Sequence, residues 1–198
     1  MSFYPEKISE RFQAPKNVGE PNTASAVGMS ATFVCGVYLR FSLRIDAASK
    51  EILEVGFKTN GCGYLIASAD VLAENITGKR LNKIHGLEAD VLRLAIENML
   101  GAFPEPRKHC LNLTLETLQN AFADFRARQI EEFAGEKALI CTCFGVSEET
   151  IERVIAEDQA ETVERVGELC NAGTGCGSCQ LLIEELLDAG KSHKFDWR

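Results

Sequence analysis

The chain contains no long apolar run, since charged residues interrupt every hydrophobic stretch well before the ~18 residues that a membrane-spanning helix needs. Its first residues also lack the apolar core of a secretory signal, so we expect a cytoplasmic protein with no membrane partner. Positive charge is scarce too, because 21 lysines and arginines face 29 aspartates and glutamates, a net charge of −8. A nucleic-acid groove needs clustered basic residues, so this balance argues against a nucleic-acid partner.

The negative charge is concentrated in one half of the chain. Residues 129–190 hold 3 basic and 14 acidic residues, a net charge of −11, whereas residues 1–128 hold 15 and 14. This contrast predicts a domain at 1–128, a linker at 129–138, a second domain at 139–190 and a tail at 191–198. The acidic half either keeps the protein soluble or steers it toward a basic partner.

Hydrophobic periodicity predicts an α+β fold for the first domain. Alternating apolar residues indicate strands at 31–46 and 52–59, which form an antiparallel hairpin, with a third strand at 25–29. Residues with helical spacing predict helices at 6–12, 64–77, 90–100 and 109–128. The 90–100 helix has one apolar side, made of Val91, Leu94, Ala95 and Met99. We therefore expect a small antiparallel sheet packed with helices.

The second domain is predicted to be a small all-α module of three short helices. Ser147 and Thr162 are placed to cap the first two helices, because their side-chain oxygens can accept from free backbone N–H groups. The third helix follows Cys179. This arrangement places a cysteine-rich loop at the start of the last helix.

Four of the eight cysteines lie in this module, as Cys141-x-Cys143 and Cys176-x-x-Cys179. A disulfide framework does not suit a reduced compartment, so we interpret them as metal ligands. In extended chain, residues i and i+2 point the same way, and glycines beside Cys176 let backbone N–H groups approach sulfur. Four thiolates suit a [2Fe–2S] cluster or a tetrahedral zinc, and spacing leaves both open.

Three cysteines are dispersed through the first domain, namely Cys35, Cys62 and Cys110, with His109 directly before the last. Only the tertiary fold can bring them together, so spacing alone leaves ligands and core cysteines as alternatives. Three other side chains are assigned no ligand role: Cys170 is expected on an apolar helix stripe, and His85 and His193 are expected on the surface.

The segments Cys141-Thr-Cys-Phe-Gly-Val-Ser-Glu and Gly173-Thr-Gly-Cys-Gly-Ser-Cys resemble a known domain. They are similar to the [2Fe–2S] domain of bacterioferritin-associated ferredoxin, which also occurs in the middle of NifU proteins. The resemblance covers residues 139–188 and favours iron over zinc. It implies a permanent [2Fe–2S] centre held by Cys141, Cys143, Cys176 and Cys179.

The first domain resembles the IscU/NifU scaffold family in its three cysteine segments, Val34-Cys-Gly, Phe57-Lys-Thr-Asn-Gly-Cys-Gly and Arg107-Lys-His-Cys. The segments Tyr4-Pro-Glu-Lys and Pro15-Lys-Asn-Val-Gly also resemble that family. The whole chain is thus similar to a NifU protein without the usual C-terminal third domain.

This second resemblance implies a non-enzymatic, homodimeric scaffold. Such a scaffold receives sulfur from a cysteine desulfurase, collects iron, builds a transient cluster and passes it to apo iron–sulfur proteins. The ligands it implies are Cys35, Cys62 and Cys110, with His109 as the fourth, around iron or zinc. Two alternatives are a ferredoxin-like electron carrier with a docking domain and a zinc-binding module.

One position departs from the family. Its members carry an acidic residue two positions after the first cysteine, where this chain has Val37. Valine neither binds metal nor accepts a proton, so we expect a cluster that is released more slowly.

Overall fold

A computed structural model describes residues 3–84, 89–135 and 137–192. His85 and His193, predicted to be surface residues, lie outside the described residues. The chain divides into two compact units, the first extending to Phe125 except for Ala48–Lys50, which groups with the second. Across the described ranges, we find no helix with the length and apolar character to cross a membrane.

The sheet of the first unit has three antiparallel strands in the order β1 (Ala26–Thr32), β2 (Val37–Ile45) and β3 (Ile52–Thr59). The predicted strand at 31–46 began too early, because residues 31–32 belong to β1 and the chain reverses at 33–36. The turn contains Phe33 and Val34, which are residue types common in strands, and so the predicted strand included the turn.

The core of this unit lies between the sheet and the helix α2 (Gly63–Ile76). Alternation along β2 turns Leu39, Phe41 and Leu43 inward, and each is fully buried. Phe41 meets Phe57 of β3 edge to face at 6.4 Å between ring centroids. Since α2 is apolar around most of its circumference, it is buried along most of its length. The predicted α+β fold is confirmed.

Three more helices lie in this part of the chain: α1 (Glu6–Gln13), α3 (Ala89–Leu100) and α4 (Lys108–Glu131). Short 3₁₀ turns lie at Leu81–Lys83 and Glu105–Arg107. The apolar side predicted for α3 from the sequence is not the side that packs against the core, since Leu94 is 58% exposed while Ile96 and Leu100 are buried. Apolar residues of α3 point in several directions around the helix axis, so the periodicity of the sequence alone does not identify the buried side.

α4 covers the edge strand β1. The backbone N–H of Val27 donates to Asp124 Oδ2 at 2.7 Å, and Asn120 Nδ2 donates to the Met29 carbonyl at 3.1 Å. Gly28 lies so close to the α4 backbone at Thr117 and Ala121 that a Cβ atom would overlap it. Side chains of α4 thereby satisfy backbone groups that an open sheet edge would leave free.

The second unit contains α5 (Glu148–Glu157), α6 (Val163–Cys170) and α7 (Gln180–Ser192). The caps are confirmed, since Ser147 Oγ accepts from Thr150 N and Thr162 Oγ1 accepts from Arg165 N. The module is not wholly helical, because β4 (Leu139–Cys141) and β5 (Val146–Ser147) pair antiparallel. These strands are too short to leave a periodic signal. α4 extends to residue 131, three residues into the predicted linker.

Candidate iron–sulfur sites

The first candidate site is built from three element ends of the first unit. Cys35 lies in the turn between β1 and β2 and is exposed. Cys62 is the N-cap residue of α2, and His109 and Cys110 lie in the first turn of α4. Cys110 is buried and Cys62 is half-buried, so the site runs from the surface into the fold.

These four side chains form a continuous set of contacts. His109 Nε2 lies 3.5 Å from Cys35 Sγ and 3.6 Å from Cys110 Sγ, and Cys110 Sγ lies 3.9 Å from Cys62 Sγ. Within the described ranges, no three or more histidine, cysteine, aspartate or glutamate side chains lie together closely enough to hold a metal ion. The pairwise contacts nevertheless bring together all four side chains predicted from three separate segments.

The Cys62 thiol is acidified by its surroundings. The Cys110 thiol donates a hydrogen bond to Cys62 Sγ, and this is the largest cause that lowers the pKa of Cys62 to about 5. Burial opposes the shift, while N–H groups of Tyr64 and Leu65 at the start of α2 reinforce it. The same hydrogen bond raises the pKa of Cys110, with burial adding to the effect. One thiolate and one proton are thus held side by side.

The position directly after Cys62 requires glycine. The Gly63 N–H donates to the Tyr4 hydroxyl at 3.2 Å, and a Cβ atom at Gly63 would overlap the Tyr4 ring. Tyr4 also meets Tyr64 edge to face, with ring centroids 5.4 Å apart. The N-terminal segment thereby packs on the start of α2, a contact that the sequence analysis did not anticipate.

The outer wall of the first site is apolar. Phe33 and Val34, beside Cys35, are exposed, and Val37 begins β2 two residues after Cys35 in a half-buried position. Valine brings no donor atom to this edge.

The second candidate site joins the β4–β5 turn to the loop before α7. Cys143 Sγ lies 3.4 Å from Cys176 Sγ, and the Cys141 and Cys179 thiols also interact. Gly175 packs so tightly that a Cβ atom there would lie 3.1 Å from Cys143 Sγ. A side chain at position 175 would therefore displace this sulfur.

Burial and backbone N–H groups act in opposite directions on these thiols. Burial raises the pKa of Cys141 and Cys143, and N–H hydrogen bonds partly offset it. At the exposed Cys176, hydrogen bonds from the Ser178 hydroxyl and N–H lower the pKa to about 7. Four converging thiols with N–H donors fit a [2Fe–2S] cluster, whose sulfur ligands are thiolates.

Ser178 contacts a thiol of this site, whereas Cys170 does not belong to it. Ser178 Oγ lies 3.2 Å from Cys176 Sγ, a contact that the sequence analysis missed although serine stands between the paired cysteines. Cys170 is half-buried on α6, and its thiol donates to the Val166 carbonyl at 3.2 Å. Burial raises the Cys170 pKa, as expected of a packing cysteine.

The NifU-like N terminal domain family matches residues 3–132, and the BFD-like [2Fe-2S] binding domain family matches residues 139–189. The nitrogen fixation protein NifU of Trichormus azollae is 34% identical, with 96% of this chain and 65% of that protein covered. The chain thus spans less than two thirds of the length of this relative.

A shorter relative is the iron-sulfur cluster assembly scaffold protein IscU of Aquifex aeolicus, which is 35% identical over 65% of this chain and 80% of that protein. A crystal structure from Fervidobacterium islandicum, titled a putative iron-sulfur cluster assembly scaffold protein, is 25% identical with a TM-score of 0.48, covering 60% of this chain and 95% of that one. The family match extends over most of the chain and includes all four side chains of the first site. The chain therefore belongs to the NifU family, with a [2Fe-2S]-binding domain following its N-terminal domain.

Proposed function

We propose that this protein is an iron–sulfur cluster assembly scaffold whose transient cluster is built on Cys35, Cys62, Cys110 and His109. The observation that carries the proposal is the contact set that joins these four side chains, with donor distances of 3.5–3.9 Å. Side chains from three segments meet where one is exposed and another is buried. Such a site is accessible to a sulfur donor while part of it is shielded from water.

The proposed sulfur acceptor is Cys62. Its thiolate is stabilised by Cys110 and by N–H groups of α2, and a thiolate is the nucleophile in sulfur exchange. The thiolate attacks the outer sulfur of a persulfide on a cysteine desulfurase. A sulfur–sulfur bond to Cys62 forms, the bond within the donor persulfide breaks, and the desulfurase cysteine leaves as a thiolate. Iron then enters beside Cys35 and His109 as the second substrate, although zinc can occupy the same donors.

The proposed ligands of the permanent centre are Cys141, Cys143, Cys176 and Cys179. When bound, a [2Fe–2S] centre supplies one-electron chemistry to a protein. The chain contributes backbone N–H groups that offset the negative charge at sulfur, and three cysteines with exposures of 2–6% that keep water away. This centre is expected to supply electrons during cluster building or release.

The test compares Cys35→Ser, Cys62→Ser and Cys110→Ser with Cys170→Ser, a cysteine outside both sites. Each full-length protein is loaded with iron and with sulfur from a cysteine desulfurase, and cluster transfer to an apo-ferredoxin is followed by absorbance. We expect the three site variants to lose transfer while the control retains it, with the permanent centre intact in all four. Wild-type transfer by the site variants would contradict the scaffold role and leave an electron carrier.

The wider setting is part of the same proposal. The partners are a cysteine desulfurase and apo iron–sulfur recipients, the chain acts without catalysing a reaction of its own, and it works as a cytoplasmic homodimer. Light scattering of the purified protein measures its mass, and a monomer would contradict the dimer.

A further inference from the structure

The first turn of α7 carries two leucines that face solvent. Leu181 is 72% exposed and Leu182 is 44% exposed, whereas Ile183 and Leu187 are buried at 0% and 5%. Positions 183 and 187 are four residues apart and form the packed side of the helix. Packing within the second unit therefore accounts for Ile183 and Leu187 but not for the exposed pair.

This pair closely follows the last cysteine of the second cluster in the chain, in the first turn of α7. Cys176 is the one exposed member of the four thiols, since Cys141, Cys143 and Cys179 are buried. Leu181 follows Cys179 by two residues, within the first ~5.4 Å turn of the helix. A protein seated on Leu181 would thus lie within one helical turn of Cys179, a proposed ligand of the centre.

The rim of the apolar pair is acidic. Glu184 and Glu185 follow Leu181 by three and four residues, on the same exposed side of α7. The basic residues whose ion pairs are described in this unit lie elsewhere, with Lys137 on Glu148 and Glu152 of α5 and Arg165 on Glu168 of α6. Glu184 and Glu185 are two of the 14 acidic residues at 129–190, where only 3 residues are basic.

We propose that Leu181 and Leu182, with Glu184 and Glu185 beside them, form the docking surface for a one-electron carrier protein with a rim of lysines and arginines. Apolar contact at the centre excludes water, while opposite charges around it speed and orient encounter. A second copy of this chain docked through the same surface is disfavoured as the occupant, because it would place Glu184 and Glu185 opposite their own counterparts.

The exchange on this surface transfers one electron and forms no bond. A reduced [2Fe–2S] centre held by Cys141, Cys143, Cys176 and Cys179 would supply the electron, so that the centre would lose one electron and the redox group of the carrier would gain it. Electron-transfer contacts are typically small and short-lived, so two leucines and two acids are enough to define the surface. The inference rests on the ligands proposed above for the permanent centre.

The test uses a basic c-type cytochrome as the carrier and the full-length protein with its [2Fe–2S] centre loaded. Two quantities are measured: the Kd of the oxidised protein for the cytochrome by calorimetry, and the second-order rate of cytochrome reduction after pre-reduction. Leu181→Ser is compared with Ile130→Ser, which alters another exposed apolar residue, 50% exposed near the end of α4. The visible spectrum of each variant reports that the centre is intact.

We expect Leu181→Ser to weaken binding roughly fivefold and to slow electron transfer by a similar factor, with no change for Ile130→Ser. A charge test follows with Glu184→Lys/Glu185→Lys and a matched pair, Glu157→Lys/Glu161→Lys, which changes net charge equally at other exposed sites. The first pair should slow transfer much more than the second.

Equal effects of Leu181→Ser and Ile130→Ser would overturn the docking surface. Equal effects of the two charge-reversed pairs would also overturn it, since net charge alone would then explain the attraction. The scaffold proposal is tested separately by transfer from the Cys35, Cys62 and Cys110 site. A wild-type protein that acquires no [2Fe–2S] spectrum would contradict the ligand assignment instead.

Discussion

The Ser178 hydroxyl is expected to raise the reduction potential of the permanent centre. It lies 3.2 Å from Cys176 Sγ, and once Cys176 is a thiolate the sulfur can only accept, so the hydroxyl must donate. Reduction adds one negative charge to the centre, and a donated hydrogen bond stabilises the more negative state more strongly. Ser178→Ala should therefore lower the potential.

The size of this shift follows from the strength of the bond. A hydrogen bond to a charged group contributes about 1.5–3 kcal/mol, but only its difference between the two redox states counts. Because Cys176 and Ser178 are exposed, water partly replaces the lost donor, which leaves roughly 0.5–1 kcal/mol. For a one-electron couple, 1.4 kcal/mol is about 59 mV, so we expect a shift of about 20–40 mV to more negative values.

The measurement is a potentiometric titration followed by the visible absorbance of the centre. Ser178→Thr keeps a hydroxyl on the same atom and serves as the control, with a potential near that of the wild type. Unchanged or more positive potentials in Ser178→Ala would refute the reasoning. A loss of signal in both variants would indicate a structural role instead.

Three further results are expected. In the metal-free protein, iodoacetamide should label Cys62 before Cys170, because hydrogen bonds favour the Cys62 thiolate while burial raises the pKa of Cys170. The rate of Cys62 labelling should fall only as the pH drops through about 5. Equal labelling of the two cysteines in peptide mass maps would contradict this prediction. Gly28→Ala should lower the free energy of unfolding in urea by roughly 1–3 kcal/mol, since the added methyl meets the α4 backbone, and an unchanged midpoint would argue against that close approach. Val37→Asp should speed cluster transfer to an apo-ferredoxin by adding a carboxylate near Cys35, and identical rates would show that this position does not control release.

Local patterns in the sequence determined much of the architecture. Alternation along β2, the caps Ser147 and Thr162, and the glycines around Cys176 act over a few residues, where backbone geometry and hydrogen bonding are set by neighbours in the chain. For the same reason, the paired cysteines near the C-terminus indicated a metal site directly. The reversal at 33–36 was hidden because strand-forming residues occupy the turn.

Tertiary structure decided what depends on distant segments. The contacts among Cys35, Cys62, Cys110 and His109 exist only because α4 and the sheet bring residues more than 70 positions apart within 3.5 Å. Which side of α3 is buried, and where Leu181 faces, likewise follow from how the helices pack. Burial and long-range contact are properties of the folded chain, because they arise from surfaces that meet only after the local elements have formed.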